Sequence, residues 1–142
     1  MVIKGSSGQA CHAWQLLMRF FFAQREHLPG WAEQFGLSSI QCHALHLIEP
    51  DRPMPMSRLA RALACDASNV TGLVDRLESR GVVQRVPSTT DRRVKAVGLT
   101  AAGAKLRGEL LQRVAMRPHP LSRLSRAERR LLVEILEKLV DG

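Results

Sequence analysis

The stretch SRLARALACDASNVTGLVDRLESRGVVQRVPSTTDRRVKAVGLTAAG, from Ser57 to Gly103, decides the fold. Its patterns predict, in order, a short helix, a turn, a second helix, a two-stranded hairpin and the start of a third helix. The opening serine is a favourable N-cap for the first helix, which is interrupted just before Asp66. Asp66 can cap the second helix, which is predicted over about 67–80 and stops at Gly81.

The second helix of this stretch has an apolar and a polar face. Its apolar residues recur at helical spacing and must pack inward onto Leu59 and Leu63 of the first helix; they are Val70, Leu73, Val74 and Leu77. The opposite face carries short hydrogen-bonding side chains, one glycine and one arginine: Ser68, Asn69, Thr71, Gly72 and Arg76. Such side chains suit contact with base edges and phosphates in a DNA major groove. Gly72 removes bulk where this helix would come closest to DNA.

The hairpin that follows has a basic tip. Two extended runs, 82–86 and 94–99, flank the turn sequence PSTTD, which ends at Asp91. The tip carries Arg92 and Arg93, with Lys95 just behind. Paired arginines on a flexible tip suit a narrow minor groove, where the negative potential is strong. Asp91 is spaced to hold the Arg93 guanidinium in one orientation.

Short helices and hairpins are common, and charged hairpin tips are usually only solvated, so these patterns alone leave DNA binding undecided. Three segments carry a more specific signal: DRLESRGVVQR at 75–85, DRR at 91–93 and LTAAG at 99–103. In order and spacing they resemble the recognition-helix end, the wing and the wing exit of the MarR family of bacterial transcription regulators. The resemblance extends more loosely over about residues 10–140.

This resemblance implies a mainly α fold with a small antiparallel β-wing, in which a winged helix-turn-helix domain joins a helical dimerisation domain. It also implies a homodimer that binds a pseudo-palindromic operator and is often released by a small ligand or by oxidation. Asp75 and Arg85 match an internal pair that ties the helix to the wing. Ser68, Asn69 and Thr71 would face bases, Arg76 bases or phosphate, and Arg93 the minor groove. The predicted DNA-binding residues are Ser68, Asn69, Thr71, Arg76, Arg92, Arg93 and Lys95.

The whole chain, 1–142, is predicted to be one MarR-like domain. Residues 38–103 would form the winged helix-turn-helix lobe, and 9–36 with 104–140 the dimerisation helices. The first helix, predicted over 9–28, is apolar nearly all round, so it needs cover on several sides. We expect a second subunit to supply that cover, and the alternative is a fully buried helix in a monomer.

The remaining elements are predicted from local signals. Ser38 with Gln41 forms a capping box for a helix to about Ile48, and the proline-rich loop at 50–55 leaves room for only a minimal strand. Thr100 should cap a helix over about 100–117, stopped by the PHP sequence at 118–120. A second capping box, Ser125 with Glu128, should open a last helix to about residue 140.

Composition limits the possible partners and the compartment. The formal net charge is +8 and the pI about 10.7, and most basic residues are arginine, which favours an anionic partner such as DNA. Three scattered cysteines argue against a disulfide framework and for a reducing cytoplasm. The sequence shows no membrane-spanning run and no signal-peptide pattern at its start.

Sensor chemistry has weak support in the sequence. Cys42 and His46 have a helical metal-ligand spacing, but His43 points elsewhere and no second pair completes a site. Cys11 lies early in the first helix, as in peroxide-sensing relatives, yet those pair it with tyrosines and this chain has none. Six apolar residues could line an effector pocket, although such stripes are usually core: Trp14, Met18, Phe21, Phe22, Trp31 and Phe35.

No catalytic constellation, phosphate-binding loop or cofactor motif is present in the sequence, so we predict no enzyme activity, no cofactor and no metal. The prediction is a sequence-specific DNA-binding repressor acting as a cytoplasmic homodimer, with release by a small lipophilic or aromatic effector as a further expectation. The alternative is a winged-helix module that binds a protein or RNA without an operator. The polar face at Ser68, Asn69 and Thr71 argues against that alternative, because a partner-binding version would expose apolar residues there.

Overall fold

The structure, a computed structural model, describes residues 6–25, 30, 32–116 and 119–140. It confirms the predicted fold class, a mainly α chain with a small antiparallel sheet. The elements are α1 (Ser6–Arg25), a 3₁₀ turn (Glu33–Phe35), α2 (Ser39–Leu47), β1 (Met54–Pro55), α3 (Met56–Ala62), α4 (Ala67–Ser79), β2 (Val83–Pro87), β3 (Lys95–Leu99), α5 (Ala101–Ala115), a second 3₁₀ turn (Pro120–Arg123) and α6 (Arg126–Val140).

The backbone groups into two compact units, Met1–Arg107 and Gly108–Gly142, and α5 runs across the boundary. The first helix begins at Ser6, three residues before the predicted start. Its predicted end at Leu28 and the candidate pocket residue Trp31 lie outside the described residues. The helix predicted over about 100–117 ends at Ala115, two residues before its predicted end. None of the described helices is long and apolar enough to cross a membrane.

The three strands form an antiparallel sheet in the order β1-β3-β2. Strand β2 pairs with β3 along its full length, from Val83 opposite Leu99 to Pro87 opposite Lys95. Strand β1 adds two residues, with Met54 opposite Val97. This confirms the minimal strand predicted for the proline-rich loop, since a proline has no N–H to donate to the ladder.

The predicted N-cap of α3 is wrong. The helix begins at Met56, and Pro55 occupies the cap position without a side-chain hydrogen bond. The cause is that β1 runs directly into the helix, so the chain is already helical at Ser57. The helix ends in a Schellman motif, in which the Cys65 N–H bonds the Ala60 carbonyl at 2.9 Å and Ala64 takes a left-handed φ of 50°.

The core of the first unit forms around α4. All four predicted inward residues of α4 are buried, at 4% exposure or less, and Leu59 of α3 is fully buried. Leu63, the second predicted partner, is only partly buried. The largest fully buried side chains come from both helices and strands: Leu45, Ile48, Leu59, Leu77, Val74, Val83 and Val97. The apolar face of α4 therefore fixes which face remains exposed.

The start of α5 is joined tightly to the start of β2. The Thr100 hydroxyl donates to the Gly81 carbonyl at 2.6 Å and accepts from the Gly103 N–H at 3.0 Å, so Thr100 caps α5 as predicted. A Cβ on Gly103 would lie 1.7 Å from the Val82 carbonyl oxygen. The glycine is therefore required for this close approach, which explains the LTAAG segment.

Most of the exposed large apolar side chains of the described residues lie on two helices. On α1 these residues are Trp14, Leu16, Leu17, Phe20, Phe21 and Phe22, and on α6 they are Leu131, Val133, Ile135, Leu136, Leu139 and Val140. The predicted capping box of α6 is present, with Ser125 N–H donating to the Glu128 carboxylate at 2.7 Å. The predicted box of α2 is present as well, with Ser38 N–H donating to Gln41 at 2.8 Å.

Candidate nucleic-acid interface

The N-terminus of α4 is held by Asp66. Its carboxylate accepts the Asn69 backbone N–H at 2.8 Å and the Ser68 hydroxyl at 2.9 Å. These bonds, the first of them most, lower the pKa of Asp66. The carboxylate is therefore ionised at neutral pH, and the first turn of the helix has a fixed geometry.

The exposed side of α4 presents the predicted base-contacting residues together. We call Ser68, Asn69, Thr71 and Arg76 the polar face, and all four are exposed. The Thr71 hydroxyl donates to the Ala67 carbonyl at 2.8 Å, which leaves its oxygen available as an acceptor. Within the described part of the chain, the Asn69 side-chain amide has no hydrogen-bond partner. It therefore keeps both donor and acceptor for a base edge.

Arg85 joins the wing to α4 through two carboxylates. Its Nη2 lies 2.5 Å from the Asp75 carboxylate and its Nη1 donates to Glu78. The Arg85 backbone N–H also donates to Glu78 at 3.2 Å. The bond to Asp75, followed by that to Glu78, raises the pKa of Arg85. The contact with Asp75 was predicted and that with Glu78 was not, although a spacing of three places both carboxylates on one helix face.

The tip of the wing is a closed turn with free basic side chains. Its base is closed by the Ser88 N–H, which donates to the Val94 carbonyl at 2.9 Å. The Asp91 carboxylate accepts the backbone N–H of Arg93 at 2.9 Å, whereas the prediction assigned it to the Arg93 guanidinium. An aspartate two residues before an N–H forms this local turn readily. Arg92, Arg93 and Lys95 are exposed, and no carboxylate of the described residues pairs with them.

Arg80, at the C-terminal end of α4, bridges to a distant part of the chain. Its guanidinium donates to the Gly36 carbonyl and, at 3.0 Å, to the Phe35 carbonyl. Both carbonyls lie at the C-terminal end of a 3₁₀ turn, where partial negative charge favours a cation. Arg107 of α5 similarly donates to the His46 carbonyl at the end of α2, at 3.2 and 3.3 Å. Sequence reasoning missed both contacts, since the partners are far apart in the chain.

The sensor candidates lie in different environments. Cys11 is exposed, Cys65 is half-buried beside the Leu63 carbonyl at 3.4 Å, and Cys42 is buried. Burial raises the pKa of the Cys42 thiol, against a smaller opposite effect of Arg80, so the thiolate is disfavoured. Cys42 and His46, which have a metal-ligand spacing in the sequence, lie in different environments, because Cys42 is buried while His46 is exposed. In the described ranges, no group of three or more His, Cys, Asp or Glu residues could hold a metal ion.

Comparison with known proteins gives concordant results. The MarR family profile matches residues 37–95. The HTH-type transcriptional repressor NicR of Pseudomonas putida is 34% identical over 108 residues, which cover 75% of this chain and 68% of that protein. The reduced form of MarR from E. coli has a TM-score of 0.69 at 25% identity, covering 88% of this chain and 93% of that one. BldR from Sulfolobus solfataricus has a TM-score of 0.76 at 22% identity, covering 96% and 98%.

Proposed function

The chain belongs to the MarR family of DNA-binding transcriptional regulators, and we propose that it is a homodimeric repressor of a pseudo-palindromic operator. Members of the family are not enzymes. The observation that carries the proposal is the polar face of α4, which is exposed and fixed at its first turn while the wing beside it has a basic tip. The name of NicR as a repressor supports the sign of regulation.

The proposed contacts divide into two kinds. Ser68, Asn69 and Thr71 contact base edges in the major groove, and Arg76 contacts a base edge or phosphate. At the wing, Arg93 enters the minor groove, while Arg92 and Lys95 contact its phosphates. In a two-fold symmetric dimer, the two α4 helices enter major grooves about one DNA turn apart.

The proposed dimer is supported by the exposed apolar residues of α1 and α6. Large apolar surface is unfavourable in water, and a subunit interface removes it. Residues 9–36 and 104–140 therefore serve as dimerisation segments, and 38–103 as the DNA-binding lobe. We also propose that a lipophilic or aromatic effector relieves repression. The protein would act in the cytoplasm. The apolar side chains of α1 suit such an effector.

DNA binding is tested with duplexes that the wild-type protein enriches from a randomised library, with affinity measured by fluorescence anisotropy. Asn69→Ala should weaken binding to the enriched duplex by at least about tenfold, because a bidentate adenine contact is worth about 1–3 kcal/mol. Arg93→Ala should weaken it comparably and lower the salt dependence by about one charge. Exposed Arg52 offers a control outside the proposed interface. Failure of the wild type to enrich any sequence would contradict the proposal.

A further inference from the structure

Gly72 occupies the middle of the polar face of α4. It lies three residues after Asn69 and four before Arg76, so all three share one side of the helix. A glycine inside a helix destabilises it relative to alanine, because the backbone loses more freedom on folding. A glycine at position 72 must therefore provide an advantage that outweighs this loss of helix stability.

The protein itself supplies no such reason at Gly72. Its backbone is helical, and the positive-φ glycines of the described residues are Gly36 and Gly81. A Cβ built on Gly72 would have the Arg76 Nη2 as its nearest neighbour at 3.7 Å, an ordinary van der Waals distance. By contrast, Gly103 is required because a Cβ would collide with the Val82 carbonyl. An alanine would fit at position 72 without strain or collision.

The Arg76 guanidinium lies beside the open space over Gly72. We call this space, bounded by the Gly72 backbone and Arg76, the notch. A group that enters the notch touches the main chain of α4 directly and lies within reach of a guanidinium fork. Arginine donates two parallel hydrogen bonds to the O6 and N7 atoms of guanine, the commonest specific contact in the major groove.

We propose that Gly72 is a specificity-determining residue, because the notch admits the major-groove edge of a G·C base pair that Arg76 contacts. This inference rests on the proposed operator binding and deepens it. A methyl group at position 72 would hold the DNA away from the helix and lengthen the Arg76 hydrogen bonds. The glycine thus gives up helix stability in the free protein and strengthens DNA binding in the complex.

The test is Gly72→Ala, which has opposite effects on stability and on binding. The melting temperature should rise by about 2–5 °C, since alanine is the better helix former. Affinity for the enriched duplex should fall by at least about tenfold, since the Arg76 contact is weakened. Because the variant is more stable than the wild type, weaker binding cannot be attributed to misfolding.

The matched control is Gly108→Ala in α5. That glycine is also helical, and a Cβ there would have nothing within 4 Å. It should raise the melting temperature similarly while affinity for the enriched duplex stays within about twofold. Because Gly108 lies in the proposed dimerisation segment, sedimentation of both variants at the assay concentration must show the same oligomeric state as the wild type before their affinities are compared.

Base preference identifies the group that enters the notch. Selection from the randomised library should show that Gly72→Ala and Arg76→Ala weaken the preference for the same G·C base pair in each half-site. The two changes together should cost less than the sum of their separate effects. Unchanged affinity of Gly72→Ala overturns the inference, and so does an equal loss on every duplex, which indicates a phosphate contact. Both results leave the proposed function intact if Asn69→Ala still weakens binding.

Discussion

Helices α4 and α6 carry similar apolar stripes, but the stripe of α4 is buried and that of α6 is exposed. In α4 the stripe is buried, with Leu77 and Val74 at 0% exposure. In α6 the stripe is largely exposed, with Leu131 at 57% and Leu139 at 67% exposure. Its residues are Leu131, Leu132, Ile135, Leu136 and Leu139. A periodic pattern thus shows that a helix has a face to bury, but it does not show whether the burying surface belongs to the same chain.

The comparison separates two sources of stability. The winged lobe buries its apolar residues within one chain, so its unfolding should not depend on protein concentration. Stability that α6 gains from a second subunit should depend on it, because association follows mass action.

The largest effect is expected from Gly103→Ala. The added Cβ would overlap the Val82 carbonyl oxygen, so the α5–β2 junction of the lobe must open. We expect the free energy of unfolding to fall by about 3 kcal/mol, as for a severe steric overlap in a packed site. Urea denaturation measures this, with Gly108→Ala as the matched control, which should gain up to about 1 kcal/mol. An unchanged urea midpoint for Gly103→Ala would show that the junction is loose.

The second effect is expected from Leu131→Asp on the exposed stripe of α6. A charge in the proposed subunit interface should raise the dimer dissociation constant by about thirtyfold, or about 2 kcal/mol. Sedimentation equilibrium measures it, and the urea midpoint of the lobe should not change in the monomer. Arg130→Asp places a carboxylate at an exposed polar position of α6, outside its exposed apolar residues, and should have little effect. Equal dissociation constants for both variants would argue against this face as the interface.

A smaller effect is expected from Arg85→Ala, which removes the two ion pairs that join the wing to α4. Arg85 is 23% exposed while Asp75 and Glu78 are 60% and 40% exposed, so solvent screens both ion pairs. We expect a loss of about 1 kcal/mol in the free energy of unfolding. Arg52→Ala removes the more exposed pair with Glu49 and should cost about 0.5 kcal/mol or less. DNA affinity should fall for Arg85→Ala alone.

Two helix ends inside the lobe provide a matched pair of small effects. Both α3 and α4 end in Schellman motifs, with Ala64 at φ 50° in one and Gly81 at φ 71° in the other. A left-handed alanine is strained, so Ala64→Gly should raise the free energy of unfolding by about 0.5–1 kcal/mol. Gly81→Ala should lower it by about 1 kcal/mol, since no atom blocks the Cβ and only the strain remains. If both substitutions changed the free energy of unfolding in the same direction, the left-handed conformation at the two helix ends would be contradicted.

The smallest effect is expected in acid. Hydrogen bonds, chiefly from the N–H groups of Asn69 and Ser125 respectively, lower the pKa values of Asp66 and Glu128. A lowered folded pKa contributes stability above the unfolded pKa, and that stability is lost as the pH falls through the folded pKa. Asp66→Asn should flatten this acid dependence for unfolding of the lobe, and Glu128→Gln should flatten it for unfolding of α6. Denaturation series of each variant and the wild type between about pH 2 and 5 measure the two slopes.

Local signals in the sequence predicted most of the fold. The capping boxes of α2 and α6 and the buried face of α4 each depend on residues within one helix turn or face. The errors arose where a neighbouring element or a competing local bond decided the geometry. Strand β1 moved the start of α3 ahead of Ser57, and the Arg93 backbone N–H took the Asp91 carboxylate. Arg80 and its carbonyl partners are more than 40 residues apart, so no pattern connects them.

The candidate site could be predicted as a set of residue types, but its geometry could not. Helical spacing alone placed Ser68, Asn69 and Thr71 on one exposed face. It could not show that the Thr71 hydroxyl bonds the Ala67 carbonyl or that Glu78 joins Asp75 at Arg85. Those contacts depend on side-chain directions and on the distance between α4 and β2. They decide which donors and acceptors remain available.

The attachment of Arg85 to both Asp75 and Glu78 has an evolutionary consequence. With the wing fixed to α4, the proposed major-groove and minor-groove contacts are separated by a constant number of base pairs within each half-site. New target promoters would then arise by base changes at the contacted positions, whereas an insertion within a half-site would abolish recognition. A regulon built on this protein should therefore vary in the contacted bases and keep a constant spacing within each half-site.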